Sequence, residues 1–278
     1  MIAARPDLLV IGGLTIDRFA DGSSAAGGSV LHIARAAAPR GVRVRVMTVA
    51  GPEPEARAAL EELRGLTVSV DDADSTPTFM HRDSPTGRRL WLERRGGAIR
   101  VAELDPRERP GAILAAPIAD EVSTIDLARV DATSTRGAIL QGFLRSFAPD
   151  GEVRPLQLSA LASELVVELS QFDLLVASRE DLLGEAADPP LQLGALRRCL
   201  GPRPALVVTD GVRGVWLERE HLPVPWRVDG VPSIGAGDIF AAFMLAVPWP
   251  RERSGSFLRQ RAETAMRVVA EVLEERRG

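Results

Sequence analysis

The chain has 278 residues, 45% of them hydrophobic, which is enough for one large α/β domain, although two smaller domains stay open at this length. A net charge of −4, with arginines interleaved with acids as in Arg107-Glu108-Arg109 and Glu274-Glu275-Arg276, argues against a nucleic-acid partner. No apolar run reaches the length of a membrane span and no basic-then-apolar leader opens the chain, so a cytoplasmic protein with no membrane partner is expected.

The single cysteine, Cys199, permits no internal disulfide, which suits a reducing compartment, and it reads as a packing residue beneath a helix. Lys, Asn and Tyr are absent, as GC-rich coding would produce. Any cation that touches a ligand must therefore be an arginine, a metal ion or a backbone dipole. His32, His81 and His221 lie far apart without ligand spacing, so no structural metal site is expected.

In chain order, Asp7 to Gly13 is a short apolar run closed by glycines and reads as a buried parallel strand. Leu14 to Phe19 alternates like a half-exposed strand. Gly27-Gly28 precedes a helix carrying Val30, Leu31, Ile33 and Ala34, closed by Pro39 and Gly41. A strand over 42–49 and a helix over 53–63 continue the β-α-β-α order of a parallel sheet covered by helices. Leu66 to Val70 is a strand. Thr76 to His81 and Arg89 to Glu93 then form a hairpin around Asp83-Ser84-Pro85-Thr86-Gly87, which with the strand near Asp17 predicts a small separate sheet. It is either a cover over a site or a surface feature, such as a dimer face.

Core strands resume at 112–116. Residues 117–138 carry no clear pattern. Ala138 to Arg145 reads as a strand running into a loop, 159–169 as a helix, and 172–177 as a strand ending at Ser178-Arg179-Glu180-Asp181. A helix over 191–200, strands over 205–211 and 214–218, an apolar helix from Asp238 that stops at Pro248, and an amphipathic helix over 256–275 complete the chain.

The chain is organised around Gly235-Ala236-Gly237-Asp238, a glycine loop feeding the start of an apolar helix. Such a loop can point backbone N–H groups at an anion, and the helix end adds positive partial charge. A carboxylate beside a bound phosphate makes sense if it takes the proton of an attacking hydroxyl. The simpler reading is a helix N-cap after a glycine turn. A helix start should also hold the carboxyl below its ordinary pKa, leaving a weak ground-state base. Four further polar or glycine clusters, at Gly12-Gly13, 141–145, 178–181 and 209–214, fall at strand carboxyl ends, where open α/β sheets bind ligands.

Together these motifs resemble the ribokinase-like (PfkB) carbohydrate kinase family over nearly the whole chain: Gly12 to Asp17, Gly27-Gly28, the hairpin, Ser178-x-x-Asp181, Thr209-Asp210-Gly211-x-x-Gly214 and Gly235-Ala236-Gly237-Asp238. The resemblance implies a ribokinase-like three-layer α/β/α fold with a mainly parallel central sheet. It implies one domain over residues 1–278, with a small β-sheet lid inserted from about 14–22 and 72–95. It also implies a Mg-ATP-dependent kinase acting on a sugar, nucleoside or polyol hydroxyl, with Mg2+ and a monovalent cation as accompanying ions. Asp238 would be the base, and the Gly235, Ala236 and Gly237 amides the anion hole. Gly13, Asp17, Gly27, Gly28 and His32 would bind the acceptor. Ser178, Asp181, Thr209, Gly211 and Gly214 would bind nucleotide, with Asp181 reaching the metal through water.

Leu140-Gln141-Gly142-Phe143-Leu144-Arg145 is similar to a segment of the myo-inositol kinase branch, which makes a cyclitol the leading acceptor class and Arg145 a substrate-binding candidate. The chain departs from the family pattern at Pro232, Ser233 and Ile234 before the loop. It departs again at Gly13, at His32 where asparagine is common, and at Asp181 where glutamate is usual. These departures keep open a catalytically weak ligand-binding sensor, alongside a nucleoside kinase. A monomer and a homodimer through the lid are both compatible with the sequence. A dinucleotide oxidoreductase is disfavoured, because Gly12-Gly13-Leu14-Thr15-Ile16-Asp17 is no G-x-G-x-x-G and leads into a strand.

Overall fold

In the computed structural model, residues 7–84, 87–101, 109–123, 133–182, 188–247, 249–250 and 253–277 are described. Alternation in β1 (Asp7–Gly12) sets the layers: Leu8 and Val10 face one hydrophobic core, and Leu9 and Ile11 the other. Both sides are buried because helices cover both faces.

β1 lies between β4 (Arg43–Ala50) and β8 (Ala112–Ala116), parallel to each. Beyond β4 is β5 (Thr67–Asp72). Beyond β8 come β9 (Thr135–Ile139), β12 (Leu174–Ser178) and β13 (Ala205–Thr209), all parallel. β14 (Val215–Leu217) and β15 (Glu220–Leu222) close that edge antiparallel, giving a nine-stranded sheet. The chain leaves β1 towards β5 and returns on the other side at β8. That reversal places a topological switch point between the carboxyl ends of β1 and β8.

One face is covered by α1 (Ser29–Ala37), α2 (Pro54–Glu62) and two helices from the end of the chain, which supply Val30, Ala56, Phe240, Met244 and Ala262 to the core. The other is covered by α3 (Ser163–Leu169) and α4 (Pro189–Leu200), which pack Leu169, Leu193 and Leu196 around Phe172. Cys199 packs against this second core, as expected of it. The late helices are α5 (Ala236–Leu245) and α6 (Gly255–Glu275); Ser254 caps the second by accepting from the Phe257 N–H.

A second sheet has the order β3-β2-β6-β7, from β2 (Thr15–Arg18), β3 (Ser24–Gly27), β6 (Thr78–Ser84) and β7 (Gly87–Arg94). Its two outer pairs are antiparallel, and β2 and β6 are parallel. The hairpin of β10 (Arg145–Phe147) and β11 (Val153–Pro155) docks on β7: the Leu92 N–H donates to the Gly151 carbonyl at 2.8 Å, and Trp91 bridges Glu152. Phe79, Leu92, Ile118 and Ala119 pack between the small sheet and the main body, with Phe147 and Val153 against them.

Four strands, β3, β10, β11 and β15, go beyond the sequence reading. Ser24-Ala25-Ala26-Gly27 has little strand propensity and is held by pairing with β2. The stretch 138–145 is not one strand: β9 ends at Ile139, a turn follows in which the Leu144 N–H donates to the Leu140 carbonyl at 2.9 Å, and Arg145 begins β10. The expected 159–169 helix is split into a 3-10 turn at Leu158–Ala160 and α3. The turn residues Pro85 and Thr86, the charged pair Arg107-Glu108 and the helix stop Pro248 lie outside the described residues.

Candidate active site

Asp238 is the third residue of α5, and it is not the N-cap. Gly235 occupies that position with φ 79°, and no side chain caps the helix. The carboxylate instead reaches across to α1, where the Ser29 Oγ–H donates to Asp238 Oδ1 at 2.9 Å. Ser29 is buried at the first position of α1, directly after Gly28 at φ 100°. The expectation of a lowered carboxyl pKa is overturned. Burial pushes Asp238 up to about 6, against the lowering effects of the Ser29 hydrogen bond and Arg145, while Asp181 adds to the rise. Desolvation on burial outweighs the lowering effects of Ser29 and Arg145.

The glycines are explained by close approach. A Cβ on Gly235 would land on the His32 ring, and one on Gly27 on the Asp17 carboxylate. One on Gly28 would strike the Gly13 carbonyl. Gly13 itself sits against the Glu121 carboxyl group, 2.5 Å from where its own Cβ would be.

Asp17, on β2, accepts from His81 Nε2 on β6 at 2.8 Å. Its charge also acts on His32, raising a pKa that burial drives down to about 4, with Arg276 and Arg35 lowering it further. His32 is therefore neutral at physiological pH. Asp17 thus bonds one histidine and acts by its charge on a second, although the three histidines lie far apart in sequence.

Arg145 connects the remaining acids. Its guanidinium donates to the Ile118 carbonyl at 3.2 Å and lies 5.7 Å from the Phe79 ring centre. Burial lowers its pKa, opposed in turn by the charges of Asp181, Asp238, Glu121 and Asp17. The charges of four carboxylates thus act on this one guanidinium, in a chain whose only basic side chains other than histidine are arginines.

Glu121, in the segment left without a pattern, went unrecognised. It is 1% exposed, and it accepts from the Ile118 N–H at 2.7 Å and the Ala119 N–H at 2.6 Å. Burial raises its pKa. It braces the switch-point loop whose Ile118 carbonyl holds Arg145. Arg276, at the end of α6, also went unrecognised; its guanidinium donates to the Ile234 carbonyl at 2.8 Å and props the glycine loop. No local signal marks either residue.

On the other flank, Asp181 accepts from the Ser178 N–H at 2.9 Å, and its pKa is raised by burial against the pull of Arg145. Ser178 pairs in register with Thr209, whose hydroxyl would lie 3.9 Å from a Cβ on Gly237. Ser178, Asp181 and Thr209 therefore border the glycine loop. Gly211 and Gly214 shape the next turn, with φ 56° and 110°. A Cβ on Gly214 would meet the Leu222 carbonyl, so its contacts are with the strand edge instead of the Asp238 cluster. Asp210 anchors this turn through Arg213 at 2.5 Å and Arg179 at 3.3 Å.

No family model and no curated protein matches the sequence. Solved structures do. A pyrophosphate-dependent kinase in the ribokinase family, complexed with a pyrophosphate analogue and myo-inositol, is 18% identical, with 97% of this chain and 95% of that one covered at a TM-score of 0.72. The aminoimidazole riboside kinase of Salmonella enterica, with its riboside and an ATP analogue, is 15% identical over 96% and 93% at 0.64. The ribokinase of Thermotoga maritima is 15% identical over 96% and 93% at 0.60. The chain has the ribokinase fold, as the motif resemblance implied.

Proposed function

We propose that this chain is a phosphotransferase that moves a phosphoryl group from ATP to a hydroxyl of a sugar, cyclitol or related polyol. The small β2-β3-β6-β7 sheet serves as a lid over the acceptor. The observation that carries the reading is the Asp238 carboxylate: displaced from the helix cap, bonded to Ser29, and raised to about 6 by burial while the charge of Arg145 acts on it. A base with that pKa is ionised at neutral pH yet strong enough to take a proton.

In this reading the acceptor hydroxyl lies against Asp238 and transfers its proton there as its oxygen bonds to phosphorus and the donor's bridging P–O bond breaks. The Ala236 N–H already donates to the Ser233 carbonyl at 3.0 Å, so the anion hole rests on the Gly235 and Gly237 amides and the α5 N-terminus. Asp17, with Gly27, Gly28 and His32, holds the acceptor, and Arg145 screens the incoming charge. Ser178, Asp181 and Thr209 face the donor, and Gly211 and Gly214 shape the turn beside it. A Mg2+ ion arriving on the donor would keep most of its waters, and Asp181 would meet it through one of them. That ion would neutralise charge on the transferring group.

A second donor, inorganic pyrophosphate, is supported by the higher TM-scores of pyrophosphate-dependent kinases, 0.72 to 0.74, against 0.60 to 0.65 for the other ribokinase-fold structures compared. The test is release of ADP or phosphate from each donor with Mg2+ against cyclitols, pentoses, hexoses and nucleosides, with Asp238→Asn in parallel. Transfer to one acceptor class that is lost in the variant supports the proposal. Full transfer by the variant removes Asp238 as base. Ligand binding without turnover favours the sensor.

A further inference from the structure

The small sheet contributes a histidine that no motif marks. His81 Nε2 lies 2.8 Å from Asp17 Oδ1, its side chain is only 12% exposed, and the Phe19 ring lies tilted against it at 5.1 Å. A carboxylate oxygen only accepts, so the ring hydrogen sits on Nε2, and in the neutral ring Nδ1 is left as a bare acceptor. That Nδ1 is fully buried with no hydrogen-bond partner among the described residues, and the Nδ1 of His32, on which the Asp17 charge also acts, is in the same condition. A buried nitrogen left unpaired is costly, and such groups mark places where a ligand completes the bonding.

We infer that His81 is an acceptor-binding residue: Nδ1 takes the hydrogen of a substrate hydroxyl while Asp17 fixes the tautomer. Asp17 and His81 then present carboxylate and imidazole acceptors together, so the ligand must be rich in hydroxyl donors. A polyol satisfies it, and an analogue lacking the matching hydroxyl does not. The inference deepens the polyol-kinase reading and rests on it for the location of the acceptor, but its test reads binding without a phosphoryl donor.

Calorimetry on the full chain would measure Kd for myo-inositol, its monodeoxy and mono-O-methyl derivatives, ribose and 2-deoxyribose. One missing hydroxyl should weaken wild-type binding about 3- to 10-fold. His81→Gln keeps a donor for Asp17 but has no Nδ1, and should erase that selectivity. His81→Asn, with its amide where Nδ1 was, should recover part of it. An unchanged selectivity ratio in His81→Gln, or no binding by wild type across the panel, overturns the inference. Binding with intact selectivity but no transfer from any donor sinks the kinase reading alone. With three histidines in the chain, ring 15N shifts test wild type directly. The His81 Nδ1 signal should shift when the polyol that binds is added; an unmoved Nδ1 overturns the inference without any variant.

Discussion

Ser29 and Asp238, 209 residues apart, meet at 2.9 Å where the first turns of α1 and α5 pack together. The serine occupies one carboxylate oxygen and supplies the strongest of the effects holding the Asp238 pKa down against burial. Ser29→Ala removes that effect, so the pKa should climb above about 6. The acid limb of the kcat/KM profile should move to higher pH, with little change on the alkaline plateau. An unmoved limb would show that Asp238 does not set it.

Asp238→Asn should lower transfer by about 10²- to 10⁴-fold, the usual contribution of a positioned base. The same change should stabilise the fold in a pH-dependent way. Because the folded-state pKa is raised above the ordinary value, the folded protein binds more protons between about pH 4 and 6, and wild-type stability falls as pH rises through that window. The variant should therefore melt about 2–5 °C higher than wild type at pH 8 and show little gain at pH 4. Equal shifts at both pH values would contradict the assignment.

Arg145→Met removes the buried cation on which the charges of Asp181, Asp238, Glu121 and Asp17 act. Donor affinity and transfer should both fall, and the Asp238 limb should move upward, because Arg145 lowers that pKa. Arg145→Lys should restore only part of the loss, since an ammonium on a shorter, differently shaped donor cannot reproduce the guanidinium's reach to the Ile118 carbonyl. Chemical denaturation and donor titration would separate folding from binding.

Gly235→Ala combines a left-handed backbone with a Cβ driven into His32. It should cost about 2–4 kcal/mol of stability and most of the transfer. Gly22→Ala is the control, with the same sign of φ but open space around it, and should cost no more than about 1–2 kcal/mol.

Glu121→Gln puts an NH2 group where one of two acceptors faced the Ile118 and Ala119 amides. A loss of about 1–3 kcal/mol is expected, with transfer falling because the loop that steadies Arg145 slackens. Retention of both stability and kcat would remove Glu121 from the site's support.

The sequence by itself determined the strand–helix order, the buried parallel strands and the glycine loop, because hydrophobic period and glycine punctuation are local signals. Strand-end or loop position marked Asp181, Asp238 and Arg145 for the same reason, and the family resemblance marked Asp17. Only the tertiary structure decided what those groups do to one another. Asp238 is kept off the N-cap by Gly235, bonded by Ser29 across from α1, and raised in pKa by burial. His81 and Glu121 sit in stretches with no motif and matter only because β6 lies beside β2, and the loop after β8 beside the end of β1. Desolvation and shared charge are properties of distance in space, and the order of residues along the chain does not carry them.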